Sequence, residues 1–148
     1  MLRRRWPIFA FVGWTAYVWT TRIVNAWTVS DEATGAKVVS TVIAAGLLVA
    51  AVVGAAILVT ARRRRFSSGE TSFFVWFARA TFVIWALRIV QILADGSRDV
   101  PFKVVHVVLG VISVVLAYAT LGRVRSDAGT DRSAPAGEPV SPGAKADR

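Results

Sequence analysis

From Val38 to Val59 the chain carries no charged side chain, and Ser40 and Thr41 are its only polar residues there. A helix of roughly 20 residues crosses a hydrocarbon core of about 30 Å, so this stretch is long enough to span a bilayer and too apolar to face water. Three more segments have the same character, over 6–28, 72–94 and 103–122. In the first of them Trp6 and Trp27 are 21 steps apart, about 31 Å along a helix, which places one indole in each interfacial belt. Composition agrees. Of 148 residues, 55% are hydrophobic, more than a soluble domain of that size can bury. The expected fold is therefore all-α, a four-helix transmembrane bundle, and the expected surroundings are the lipid bilayer of a cell membrane. A cleaved secretory signal at Met1-Leu2-Arg3-Arg4-Arg5 is the competing reading. The apolar run that follows is too long for one, and no small-x-small cleavage site closes it.

The net charge of +9 would suggest nucleic acid in a soluble protein, but here the basic residues border the spans and read as topology signals, with no nucleic-acid partner. Arg3, Arg4 and Arg5, the run Arg62 to Arg65, and Arg123, Arg125, Arg132, Lys145 and Arg148 all fall on one side of the expected bundle. The other two connections hold Arg98, with Lys37 and Lys103 at their rims, and the acidic residues Asp31, Glu32, Asp95 and Asp99. The positive-inside rule then puts both termini and the Arg62 to Arg65 loop in the cytoplasm. The chain divides into a first transmembrane hairpin (1–60), a basic cytoplasmic loop (61–71), a second hairpin (72–125) and a tail (126–148). Rich in Ala, Gly, Pro, Ser and charge, the tail lacks the apolar surface to offset its ordering entropy and is expected to be disordered.

Shifted by 66 residues, the chain matches itself without a gap. Trp19-x-x-Arg22-Ile23-Val24-Asn25 falls on Trp85-x-x-Arg88-Ile89-Val90-Gln91, and Lys37-Val38-Val39 on Lys103-Val104-Val105, while Phe11 and Thr15 fall on Phe77 and Thr81. Valine matches between apolar segments mean little, but Trp, Arg and Lys in one register indicate a duplicated hairpin. Two spans per unit make both copies enter from the same side, so their pseudo-twofold axis lies along the membrane normal. Phe, Thr, Trp and Arg at i, i+4, i+8 and i+11 share one helical face, which is expected to point into the bundle.

The pattern Phe11-x-x-Trp14-x4-Trp19-Thr20-Thr21-x3-Asn25-x-Trp27, with Val105-His106-x-x-Leu109-x3-Ser113-x-x-Leu116, resembles a family of short, uncharacterised two-helix membrane proteins of high-GC Gram-positive bacteria. The resemblance implies a tandem duplication of such a hairpin. It brings no established activity, and the chain departs from the pattern with Val24 where relatives carry Lys and with Arg22 where they are apolar.

The residues that cost most inside a membrane are the candidates for function. Arg22, Lys37, Arg88 and Lys103, together with Asn25 and Gln91, fall in the outer third of the bundle. They are expected either to snorkel and pair with the acidic loops or to form a twofold basic site for an anion or a lipid headgroup. His106, one turn below Lys103 and equivalent to Ser40, is a candidate interhelical contact or titrating group. Arg79 is expected to snorkel. Gly46, Ala50 and Gly54 form a small-x3-small stripe, a packing signal for another span, a second copy or a partner membrane protein. With no Cys, a single His, no nucleophile beside a base and no phosphate-binding loop, the sequence points away from an enzyme, a metal site or a cofactor. The function expected first is an accessory or structural membrane protein. The alternative is a small transporter or channel that binds an anion at the basic cluster.

Overall fold

A computed structural model describes residues 5–28 and 34–129. Within these residues the chain is all-α: α1 (Trp6–Thr28), α2 (Thr34–Thr60), α3 (Ser68–Ala94) and α4 (Val100–Gly129). Three helices are long and apolar enough to cross a membrane: α2, α3 and, over Val100–Asp127, α4. The fourth expected span, α1, forms a helix of 23 residues but falls short in hydropathy. Four Trp, one Tyr and four Thr, residues suited to the interface more than to the hydrocarbon, together with Arg22 and Asn25, lower its hydropathy. In the segment 126–148, expected to be disordered, α4 continues through Gly129. The remainder of the tail, Arg3, Arg4 and the loop holding Asp31 and Glu32 lie outside the described residues.

Local chemistry sets the ends of α3 and α4. Ser67 caps α3: its hydroxyl accepts from the Glu70 amide at 3.3 Å while the Glu70 carboxylate accepts from the Ser67 amide at 2.7 Å, a reciprocal capping box. Arg64 grips the same carboxylate with two nitrogens, at 2.6 and 2.8 Å. Beyond α3, Asp95 turns the chain by accepting the Ser97 amide at 2.9 Å. Asp99 then accepts the Phe102 amide at 3.3 Å in the first turn of α4.

Helix α1 packs along α2, α3 along α4, and α1 also lies against α4, whereas α2 and α3 barely approach. Lipid tails are as apolar as leucine, so close packing must hold such helices together. The sequence supplies large groups on α1 and α3 and small ones on α2 and α4. On α1 the buried positions include Ile8, Phe11, Val12, Thr15, Trp19 and Ala26, and on α3 they include Phe74, Phe77, Ala78, Thr81, Trp85 and Ile92. On α2 they are Ala44, Leu47, Ala51, Gly54 and Leu58, and on α4 they include Gly110, Ser113, Ala117, Thr120 and Val124. Aromatic rings from α1 and α3 meet along the bundle axis, Phe11 with Phe77 at 4.8 Å and Trp19 with Trp85 at 6.3 Å between centroids. Trp85 also presses on Gly110, where an added Cβ would stand 2.8 Å from the indole edge.

Buried polar groups are spent within the bundle. Thr15 and Thr81 each donate to the carbonyl four residues earlier, at 2.8 and 3.0 Å. Trp14 Nε1 donates to Ser113 Oγ at 2.9 Å and ties α1 to α4. Among the described residues no buried side-chain nitrogen or oxygen lacks a partner. At the basic end Arg5 is a clasp. It donates to the carbonyls of Ala61 and Arg64 at 2.6 and 2.9 Å, lies 4.2 Å over the Phe66 ring and approaches Asp127 to 3.8 Å. Both described chain ends therefore meet the Arg62 to Arg65 connection at the same end of the bundle.

The small stripe on α2 divides. Gly54 is buried against Val12 and Phe74, whereas Gly46 faces out with open space around it. The stripe that packs inside the chain is the one through Ala44, Leu47, Ala51, Gly54 and Leu58, rotated from the Gly46-Ala50-Gly54 line. Arg79 is exposed on α3, with its guanidinium 5.6 Å from the Trp76 ring one turn back toward the basic end.

Candidate functional site

Two cavities open at the end of the bundle away from the basic loop, where the hairpins part. The first, of about 870 Å³, lies between the last two turns of α1 and the first turns of α4. Its wall carries Arg22 and Asn25 from α1, Trp85 and Arg88 from α3, Arg98 from the loop before α4, and Phe102 and His106 from the start of α4. Val18, Val105 and Leu109 make the rest of it apolar. The second, of about 490 Å³, lies between α2 and α3. Arg88 and Gln91 of α3, Ser40 of α2 and Trp19 bound it, with Val39, Ile43, Ile84 and Leu87 as aliphatic lining.

Helix periodicity explains the wall of the first cavity. Trp19, Arg22 and Asn25 follow one another at intervals of three along α1, so the axis-facing stripe changes from aromatic to cationic to amide as it nears the end of the helix. Arg98, in the loop just before α4, stacks with Phe102 and His106 in its first two turns. The Arg98 guanidinium lies 4.9 Å over the Phe102 ring, whose centroid is 4.0 Å from that of His106. His106 Nδ1 lies 2.9 Å from the Phe102 carbonyl. A carbonyl can only accept, so Nδ1 carries the hydrogen and Nε2 is the other polar corner of the ring. Asp95 anchors the stack from the loop, accepting Arg98 Nε at 3.3 Å and the Ser97 hydroxyl at 2.6 Å. The Ser97 hydroxyl and amide, helped by Arg98, hold the Asp95 carboxyl below the usual carboxylate range.

The residues singled out in the sequence are distributed unevenly. Arg22, Asn25 and His106 line the first cavity, Gln91 lines the second, and Arg88 lines both. Arg22 also reaches Ser40, with Nε 3.4 Å from Oγ. Lys37 and Lys103 line neither cavity. Both lysines are half-buried near the helix starts. The sequence placed Arg98 in the connection where it lies, but gave it no part in the site and passed over Phe102. The i, i+4 spacing of Phe102 and His106 was a signal, but Arg98 joins them from the loop before α4, a placement that spacing alone does not fix.

No family model, curated protein or solved structure matches the chain. Among the described residues no group of His, Asp or Glu could hold a metal ion. What the first cavity offers chemically is charge and shape: three guanidinium groups, an amide and an imidazole at its mouth, and aromatic and aliphatic walls beneath. That combination suits an anion attached to an apolar body.

Proposed function

We propose that the chain is a four-span, non-enzymatic integral protein of the cell membrane that binds an anionic amphiphile in the cavity between α1 and α4. In this reading α1 is the fourth span, the two hairpins arose by duplication, and both termini and the Arg62 to Arg65 loop are cytoplasmic. The cavity then opens in the outer leaflet. Burial supports the duplication: Phe11, Thr15 and Trp19 are buried on α1 as Phe77, Thr81 and Trp85 are on α3, each pair 66 residues apart.

The observation that carries the function is the convergence of Arg22 from α1 and Arg88 from α3 on one cavity floored by Trp19 and Trp85. A cation within a span is expensive in hydrocarbon, and an anion shared by Arg22 and Arg88 would offset that cost for both. Binding is favoured over passage because the axis toward the basic end is filled by Phe11, Phe77, Thr15 and Thr81, all buried. The test is thermal stabilisation of the purified protein in neutral detergent by dioleoyl phosphatidate, with dioleoyl phosphatidylcholine as the control. A shift with the anionic lipid alone, reduced in Arg22→Gln, supports the reading. Equal shifts with both lipids, or none with either, would refute it.

A further inference from the structure

The two cavities are built to one plan. Moved by 66 positions, nine of the ten residues lining the second cavity land on residues lining the first. Arg88 falls on Arg22, Gln91 on Asn25, Ser40 on His106 and Trp19 on Trp85, and of the aliphatic wall Val39, Ile43 and Ile84 fall on Val105, Leu109 and Val18, while Leu87 falls on Thr21. Only Gly35, which falls on Pro101, breaks the correspondence. A chance overlap of that extent between two separate clefts is negligible. Each cleft is the place where one copy's first helix meets the other copy's second helix, so a duplicated hairpin generates both together.

Resting on the anion-binding reading above, the geometry points to the second cavity as a second site for the same ligand class, weaker than the first and coupled to it through Arg88. The chain then holds two anionic amphiphiles side by side, one in each cleft between the hairpins. Both volumes fall within the usual range for ligand pockets. Chemistry sets their order. The first wall presents Arg22, Arg88 and Arg98, and the second presents Arg88 alone, with Gln91 and Ser40 as neutral hydrogen-bonding groups. A hydrogen bond to a charged group is worth enough for tenfold in affinity or more, so two fewer guanidinium groups make the second site at least about tenfold weaker. Arg88 and Trp19 line both cavities, so an anion in one competes with an anion in the other for a single guanidinium. The bound anionic group is a phosphate or a similar oxyanion. Its source is an amphiphile if the aliphatic walls contribute and the free ion if they do not.

Native mass spectrometry of the full chain released from detergent, titrated with dioleoyl phosphatidate, counts the sites directly. Two adducts are expected, formed at concentrations at least tenfold apart. Val39→Trp, which places an indole in the second cavity, should abolish the weaker adduct and leave the tighter one unchanged. Arg98→Gln should weaken only the tighter adduct, and Arg88→Gln should weaken both. Ile43→Trp serves if Val39→Trp does not fold, as judged by its thermal transition. Inorganic phosphate as competitor separates the sources: displacement at matched concentration assigns the sites to the free ion, and its failure assigns them to the amphiphile. A single adduct indifferent to Val39→Trp would overturn the second site while leaving the first. No adduct with phosphatidate would remove the binding reading itself. Two adducts insensitive to all these substitutions would be unspecific lipid and would also overturn the proposal.

Discussion

Gly110 is the sharpest test of how this bundle is held together. A Cβ built there lies 2.8 Å from Trp85 Cε3 and 2.8 Å from Ile89 Cδ1, well inside ordinary contact. Trp85 is 4% exposed and backs onto Trp19, so its indole has little room to retreat. Forcing a methyl group into a filled core costs about 1 to 3 kcal/mol. The same change gains up to about 1 kcal/mol in helix propensity, so Gly110→Ala alone would understate the packing loss. Gly46→Ala isolates that gain, because Gly46 faces out with nothing within 4 Å of the added atom. Gly54 is intermediate, its Cβ meeting Val12 Cγ2 at 3.2 Å and Phe74 Cε1 at 3.4 Å. The expected order of stability in reversible SDS unfolding from mixed micelles is Gly46→Ala, then Gly54→Ala, then Gly110→Ala. The extremes should differ by the packing cost of about 1 to 3 kcal/mol. If Gly110→Ala is as stable as Gly46→Ala, the close approach of α3 and α4 is not a feature of the protein, and neither is the wall that Trp85 gives the first cavity.

Three further outcomes follow from the same geometry. Arg5→Ala should lower stability in that assay by about 1.5 to 3 kcal/mol, the worth of hydrogen bonds to a charged donor, and Arg5→Lys should recover less than half because an ammonium cannot fork between two carbonyls. Ser67→Ala and Glu70→Ala should each cost about 0.5 to 2 kcal/mol through the α3 cap, and the double mutant should cost less than their sum because the two residues form one box. Since the chain has no cysteine, Gly96→Cys should be labelled by an impermeant thiol reagent in intact cells, and Arg63→Cys only after permeabilisation. Labelling of Arg63→Cys from outside would reverse the proposed orientation.

The sequence by itself determined which segments are helical and apolar, because hydropathy and length depend on residues near one another in the chain. It also marked the face of α1 and α3 that turns inward, since Phe11, Thr15 and Trp19 share a stripe whatever they pack against. The register in which Trp, Arg and Lys recur was likewise on the page before any coordinates. Only the tertiary structure decided how the candidate polar residues were shared. Arg22 and Arg88 reach a cavity because they lie on the axial stripe, whereas Lys37 and Lys103, half-buried near the helix starts, line neither, a placement that sequence spacing across a loop does not fix. The small stripe shows the same dependence: which of Gly46 and Gly54 is buried rests on the side from which α1 approaches α2. Arg5 reads in the sequence as one of three charges on the basic flank. Its role as a clasp arises only when folding brings Ala61, Arg64 and Asp127 within reach of a single guanidinium, since each lies more than fifty residues away along the chain.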